Sequence, residues 1–390
     1  MSARLLRIEG VIRDYDWGSR GGISRVLGRA ETEEVEAELW LGAHASAPAR
    51  ITTVPAGESD LAGWESATGE SVPFLLKLLS ARSPLSLQAH PTTEQAAAGF
   101  AAEEAVGIPQ SARERNYKDP YAKPELIVAL EDGFEALCGF REPADTVAAI
   151  RDLADASPDR APFEKWGRIL RGPDGVRAAF RWLLDGGQTV DRLVASLTAV
   201  ASADPLRYEL PDRIARQYPA DAGIAISLML NHVTLAAGEA LWLPAGNIHA
   251  YLRGTGIELM GPSDNVLRGG MTSKHVDLPE LIQVLDFSTG PASRLDADRL
   301  SDHVIEYRPA SVPTGRNVPF ALVMIDGDDV VTTAGPTVGL VVDGEFVVST
   351  GDSGESFAQG SAFLVTSPVH LAVRGAGRLY LAVGDETTRR

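Results

Sequence analysis

The hydrophobic period of this chain changes twice, and the changes divide it. Residues 1 to about 90 alternate short apolar runs with Gly, Pro and Ser turns, as in Val35 to Leu41 and Val72 to Leu79, which is the pattern of short strands. Thr92-Thr93-Glu94-Gln95 then offers a capping box ahead of an Ala-rich stretch, so a short helix is expected, and Glu125 to Leu130 returns to strand. From about 143 to 220 the period is helical. Val190, Leu193, Val194, Leu197 and Val200 fall on one helix face, and Asp174-Gly175, Gly186-Gly187 and several prolines punctuate the region into about four or five helices. Strands resume near 227 and run to the end, apart from a helix expected at Leu278 to Leu285 behind Asp277. The expectation is a mainly β chain with a helical insertion. Residues 1–142 and 223–290 form the two parts of one β unit, 143–222 the helical domain, and 291–390 a second β unit.

The two β units carry a faint repeat. Gly238-Glu239-Ala240-Leu241-Trp242-Leu243 and Gly360-Ser361-Ala362-Phe363-Leu364-Val365 share a Gly-x-Ala start and an apolar strand, and His249 and His370 follow at nearly equal distances. Two copies of one barrel module would produce this. The first copy lies in a chemically rich context and the second does not, so the second is expected to hold no metal.

Composition excludes several classes of function. A formal net charge of -17 disfavours nucleic acid and anionic membrane as partners. No stretch reaches the roughly 18 apolar residues of a membrane span. The opening Met1-Ser2-Ala3-Arg4-Leu5-Leu6-Arg7 has no signal core, and the single cysteine, Cys138, cannot form an intrachain disulfide, so a cytoplasmic protein is expected. Cys138 itself reads as a small buried hydrophobe. Only five lysines occur, Lys77, Lys118, Lys123, Lys165 and Lys274, against a background of arginine, so each is a candidate for a task that arginine cannot perform.

Three segments offer ligands for a cation. In Ser83 to Pro91, strand alternation places Ser86, Gln88 and His90 on one face and Leu85, Leu87 and Ala89 on the other. In Lys123-Pro124-Glu125 the proline forces an extended approach, so that Lys123 and Glu125 point the same way. After the Pro244-Ala245-Gly246 turn, His249 and Tyr251 share a face. Two imidazoles, a carboxylate and a neutral amide oxygen suit a catalytic zinc, and Mn, Fe or Co would also be accommodated. The Ser83 to Pro91 segment alone reads more simply as a solvated strand face. His44, His232, His275 and His303 lack comparable partners and are expected to be satisfied or exposed. Lys77 interrupts the apolar run Phe74 to Leu79, for which a polar cavity is the simplest account, the alternative being an edge strand with the amine reaching water.

Together these segments, with Tyr15 to Ser19, Glu38 to His44 and Ser263 to Arg268 followed by Thr272-Ser273-Lys274, resemble the type I mannose-6-phosphate isomerases, also called phosphomannose isomerases. The resemblance spans residues 15 to about 285. It implies two cupin-like jelly-roll barrels plus an α-helical domain, with one zinc per chain on Gln88, His90, Glu125 and His249. Arg268 takes the place of the family's catalytic arginine, and the implied substrate is a phosphorylated hexose. Lys77 and Lys123 are expected to take part in catalysis with pKa values lowered by desolvation. Ser86 and Lys274 are expected at the phosphate, and Trp17, Tyr251, Glu258 and Asp264 about the sugar. Ala122 stands where many members have His. The competing readings are another cupin metalloenzyme, an epimerase or dioxygenase, and a non-catalytic sugar-binding protein. No obligate protein partner is expected.

Overall fold

Nearly all the strands collect into two antiparallel sheets, one of eleven strands and one of ten. The computed structural model describes residues 4–52, 58–351 and 354–384; Met1, Ser2 and Ala3, part of the opening read for a signal core, lie outside them. The larger sheet is built from the first third of the chain together with the strands between Leu230 and Leu295. The smaller holds the strands from Asp298 to Gly384. Two further strands of the smaller sheet come from the opposite end of the chain. Leu5–Glu9 pairs with Ala362–Val365 (Leu5 opposite Val365), and Arg50–Ile51 pairs with Leu5–Glu9. A division that assigns the whole of residues 1–142 to the first β unit is therefore corrected. The alternation of Leu6 and Ile8 fits either sheet, and the choice is made by packing alone.

The helical segment follows its pattern. Pro143–Ala156, Ala161–Leu170, Gly175–Asp185, Gln188–Ala203 and Glu209–Gln217 are helices, and Val190, Leu193, Val194, Leu197 and Val200 are all buried on one face. Thr93–Ala105 begins with the expected capping box between Thr92 and Gln95, and Asp277 caps Leu278–Val284. The β reading of the first 90 residues passed over Leu61–Thr68. This helix is capped by the Asp60 side chain, which accepts from the Gly63 N–H, and it closes at Gly69 in the left-handed region. No helix among the described residues is long and apolar enough to cross a membrane.

Packing separates chemistry from core along single strands. Leu87, Ala89, Ile248, Ala250, Leu252 and Leu267 face the helices, burying Phe163, Trp166, Phe180 and Leu193. The residues between them, Gln88, His249 and Tyr251, face the other way. A second core, including Leu39, Leu76, Val128 and Trp242 from the larger sheet and Leu322, Leu340 and Leu364 from the smaller, is shared by both sheets.

Candidate metal centre and active-site cavity

Register brings the candidate ligands together. Gln88 lies opposite His249 on one neighbouring strand and opposite Arg268 on the other, and Glu125 is the first residue of its strand, opposite Leu243 and Met260. Donor atoms of His90, Glu125 and His249 all lie within 4.8 Å of one another, and each residue is 1% exposed. The ring orientations are fixed from behind. His90 Nδ1 donates to the Asn265 carbonyl at 2.7 Å and His249 Nδ1 to the Asn247 carbonyl at 3.0 Å. With the proton on Nδ1, each Nε2 offers a lone pair, and these face Glu125 Oε2 at 3.4 and 3.3 Å.

Lone pairs and a carboxylate turned on one another repel unless a cation lies among them. His90 Nε2 and Glu125 Oε2 have no hydrogen-bond partner among the described residues, although buried polar groups are normally paired. Burial holds the His90 pKa down at about 4, with Lys123 and His249 adding to it against the pull of Glu125, so the ring is neutral. Burial acts to raise Glu125, but the charges about it, the Lys123 ammonium foremost, hold it well below the usual carboxylate range. Gln88 Nε2 lies 3.3 Å from His249 Nε2, and a half-turn of the amide brings Oε1 to the same point. The site can hold a divalent metal.

Beside it opens a cavity of about 780 Å³. Ser86, Arg268 and Lys274 line it, as do Trp17, Lys77, Lys123, Tyr251, Glu258 and Asp264, so every residue expected about the substrate faces one space. Leu85 faces it too, against the expectation that it would join Leu87 on the apolar face. Regular strand starts only at Leu87, and Leu85 is held instead by its N–H to the Tyr251 carbonyl at 2.8 Å.

One row of side chains crosses three strands, with Trp40 opposite Lys77 and Lys77 opposite Glu258. Lys77 is therefore in the sheet interior, which excludes the edge-strand alternative. Its Nζ lies 3.5 Å from Glu38 and 3.3 Å from Glu258, and 4.9 Å above the Trp40 ring. The expectation of a lowered Lys77 pKa is overturned. Burial acts in that direction, but Glu38, Glu258 and Glu125 outweigh it and the ammonium is held more tightly than usual. Glu38 and Glu258 share this one ammonium, and burial raises the Glu258 pKa. Tyr251 donates to Glu258 at 2.8 Å. Burial lowers the pKa values of Arg268 and Lys274. Lys123 Nζ lies 3.0 Å from Glu125.

Sequence reasoning did not include Glu38, His44 and Tyr218 among the site residues, yet all three line the cavity. Glu38 carried the same signal as Lys77, a charge in an apolar strand. Tyr218 carried none, since it reaches the cavity from the end of the helical region, where its hydroxyl donates to the Pro84 carbonyl at 2.8 Å. Cys138 is buried and its thiol is pushed up to about 11 by burial, as a packing residue requires.

Two antiparallel sheets, a buried His-Glu-His cluster and a polar cavity above it define a single-metal enzyme of the β class. A family model described as phosphomannose isomerase type I, catalytic domain, matches residues 5–143. The mannose-6-phosphate isomerase of Escherichia coli is 35% identical, over 94% of this chain and 96% of that protein. A crystal structure of mannose 6-phosphate isomerase bound with zinc and yttrium superposes with a TM-score of 0.85 at 31% identity, covering 97% of this chain and 99% of the other. A variant of phosphomannose isomerase from Salmonella typhimurium gives 0.86 at 30% identity, with coverage of 97% and 99%. The chain belongs to the type I mannose-6-phosphate isomerase family.

Proposed function

We propose that this protein is a zinc-dependent aldose-ketose isomerase that interconverts mannose 6-phosphate and fructose 6-phosphate through a cis-enediol. The observation that carries the reading is the pair of outward-held Nε2 lone pairs converging with Glu125 beneath a cavity whose walls bear Arg268 and Lys274. Gln88, His90, Glu125 and His249 would hold the zinc, which when bound supplies Lewis-acid polarisation of substrate oxygens.

The protein's own groups perform the remaining tasks. Ser86 and Lys274 receive the phosphate, a dianion that needs hydroxyl and ammonium donors in a protein of this charge. Arg268, opposite Gln88, places a permanent cation where charge develops on the enediolate. Lys123 stands at the metal-facing wall as the candidate for proton transfer. Lys77 remains an ammonium and acts by its charge, holding Glu38 and Glu258 in place. Trp17, Tyr251, Glu258 and Asp264 bind and orient the sugar.

On the same reading the two sheets are cupin-like jelly-roll barrels, with 143–222 a helical domain inserted into the catalytic one and the Leu5–Glu9 strand lent to the metal-free C-terminal one. Matching geometry supports this. Gly238 and Gly360 adopt φ values of 85° and 83°, each precedes a four-residue strand, and each strand is followed by a long one, His249–Met260 or Val369–Gly384. We place the enzyme in the cytoplasm, in keeping with its lone, buried thiol.

The test is a coupled assay for fructose 6-phosphate formation from mannose 6-phosphate, without oxygen, before and after chelation and with zinc restored. Activity that is abolished by the chelator and recovered with zinc is expected. A folded, zinc-loaded protein without isomerisation would sink the reading.

A further inference from the structure

We propose that His44 is a positioning residue of this reaction, holding Asp264 as an oriented, ionised acceptor for a substrate hydroxyl. The inference rests on the isomerase reading of the cavity and assigns a task to a side chain outside the metal centre.

The tautomer of His44 follows from its neighbours. The Ser46 backbone N–H, which can only donate, lies 3.3 Å from His44 Nδ1, and the Ser46 hydroxyl lies 3.0 Å from the same atom. Nδ1 is therefore the accepting nitrogen, and a neutral ring carries its proton on Nε2. Nε2 lies 3.3 Å from Asp264 Oδ2, so the imidazole donates to the carboxylate without needing a charge of its own. The ring is also fixed sideways. Its edge meets the Trp40 indole at 4.9 Å and 81°, and Trp40 is held by its Nε1–H to Glu38 at 2.7 Å.

Asp264 is restrained from the backbone as well, its N–H donating to Asp119 Oδ2 at 2.9 Å. Its side chain is 52% exposed while that of His44 is 9% exposed, so the imidazole is the buried support and the carboxylate is the presented group. Both line the 780 Å³ cavity and also an adjoining groove of about 830 Å³, so the pair forms part of the wall between them. The groups that act on Asp264 are the His44 imidazole and the charged Lys123, Lys77, Lys118 and Asp119. The His44 hydrogen bond is the largest influence and lowers the Asp264 pKa, against burial, which raises it.

The experiment compares zinc-loaded wild type, His44→Phe and His44→Gln, with Asp264→Asn and the Phe/Asn double variant. Steady-state kinetics are run across pH alongside zinc content and thermal unfolding. His44→Phe should lower kcat/KM by roughly ten- to a hundredfold, the range of one hydrogen bond to a charged group. The acid limb of its pH profile should move to higher pH, because a carboxylate without its donor holds a proton more tightly. His44→Gln, which restores an N–H donor near the Nε2 position, should recover most of both effects. The second substitution should add little to Asp264→Asn, since His44 acts through Asp264. His44→Ala replaces the Phe variant should the latter not fold. An unmoved acid limb, failure of the Gln variant to recover activity, multiplicative losses in the double variant, or losses that track zinc content each overturn the proposal. Wild-type protein inactive on mannose 6-phosphate would fail the isomerase reading instead.

Discussion

Lys77 is charged in the middle of a sheet, and its neighbours say why it stays so. Removing the ammonium leaves Glu38 and Glu258 buried without a counter-charge, a defect of about 3–5 kcal/mol. Lys77→Met, which keeps the length of the side chain, should show that loss in denaturant unfolding, and adding Glu38→Gln should return part of it. An unchanged unfolding midpoint in Lys77→Met would mean that the carboxylates are already neutral. The metal ligands and Arg268 separate by a different pair of measurements. His249→Ala should lose bound zinc and turnover together, whereas Arg268→Ala should keep stoichiometric zinc and lose turnover by a factor of about a hundred or more. Near-normal turnover in Arg268→Ala removes that residue from the chemistry. The four proposed ligands were legible in the sequence because strand alternation and a proline turn fix which way each side chain points, whereas Arg268 came only from the family resemblance. Glu38 carried only the signal of a charge in an apolar strand and His44 none, because what each one meets depends on which segments lie next to one another. Glu38 meets Lys77 only because Trp40 pairs with Lys77, and nothing local in either segment states that register.

Among the elements, the strand His249–Met260 does the most joining, pairing with Leu75–Ala81, Leu87–Ala89, Glu125–Ala129 and Phe134–Phe140 along its length. It changes partner where its register against Phe134–Phe140 slips between Glu135 and Ala136. Gly254 lies beside that slip with φ of 112°, and a Cβ there would come within 2.7 Å of the Phe134 backbone. Gly254→Ala should therefore destabilise the protein by at least about 1–3 kcal/mol, from backbone strain before any clash is counted. Denaturant unfolding of the purified variant measures it, and a loss near zero would show that the strand can straighten. The helical region was legible as a unit because a 3.6-residue period survives wherever the helix packs. The Leu61–Thr68 helix was not, since only Leu61 and Trp64 of its residues are buried and so short an element shows no period. Glu135, whose Oε atoms meet Arg213 from the helical region and Arg253 from this long strand, ties the two together.

For the molecule as a whole, acid acts first on the metal centre. The His90 pKa of about 4 lies below the ordinary histidine value of 6.5, so the unfolded chain binds a proton at a pH where the folded one does not. Stability from this group is full above about pH 6.5 and is lost as the pH falls towards 4, on the order of 3 kcal/mol in all, with zinc release over the same interval because protonated imidazole is not a ligand. Thermal unfolding scanned from pH 7 to 4 should fall through that window, and His90→Gln should flatten the fall. A second prediction at this scale concerns the Leu5–Glu9 strand, whose place in the far sheet was the largest feature the sequence did not disclose. Leu6 and Ile8 are 2% and 5% exposed in the core that the two sheets share, while none of the proposed zinc ligands belongs to the ten-stranded sheet. Deleting residues up to Glu9 removes two buried aliphatic side chains, worth roughly 1.5–3 kcal/mol each, and bares one edge of Ala362–Val365 to other chains. The truncated protein should still bind one zinc, because the ligand-bearing strands keep all their pairings. It should unfold at lower temperature and self-associate as concentration rises. A truncation that loses zinc in proportion to stability would show instead that the two sheets unfold as one unit and that the metal centre depends on the far one.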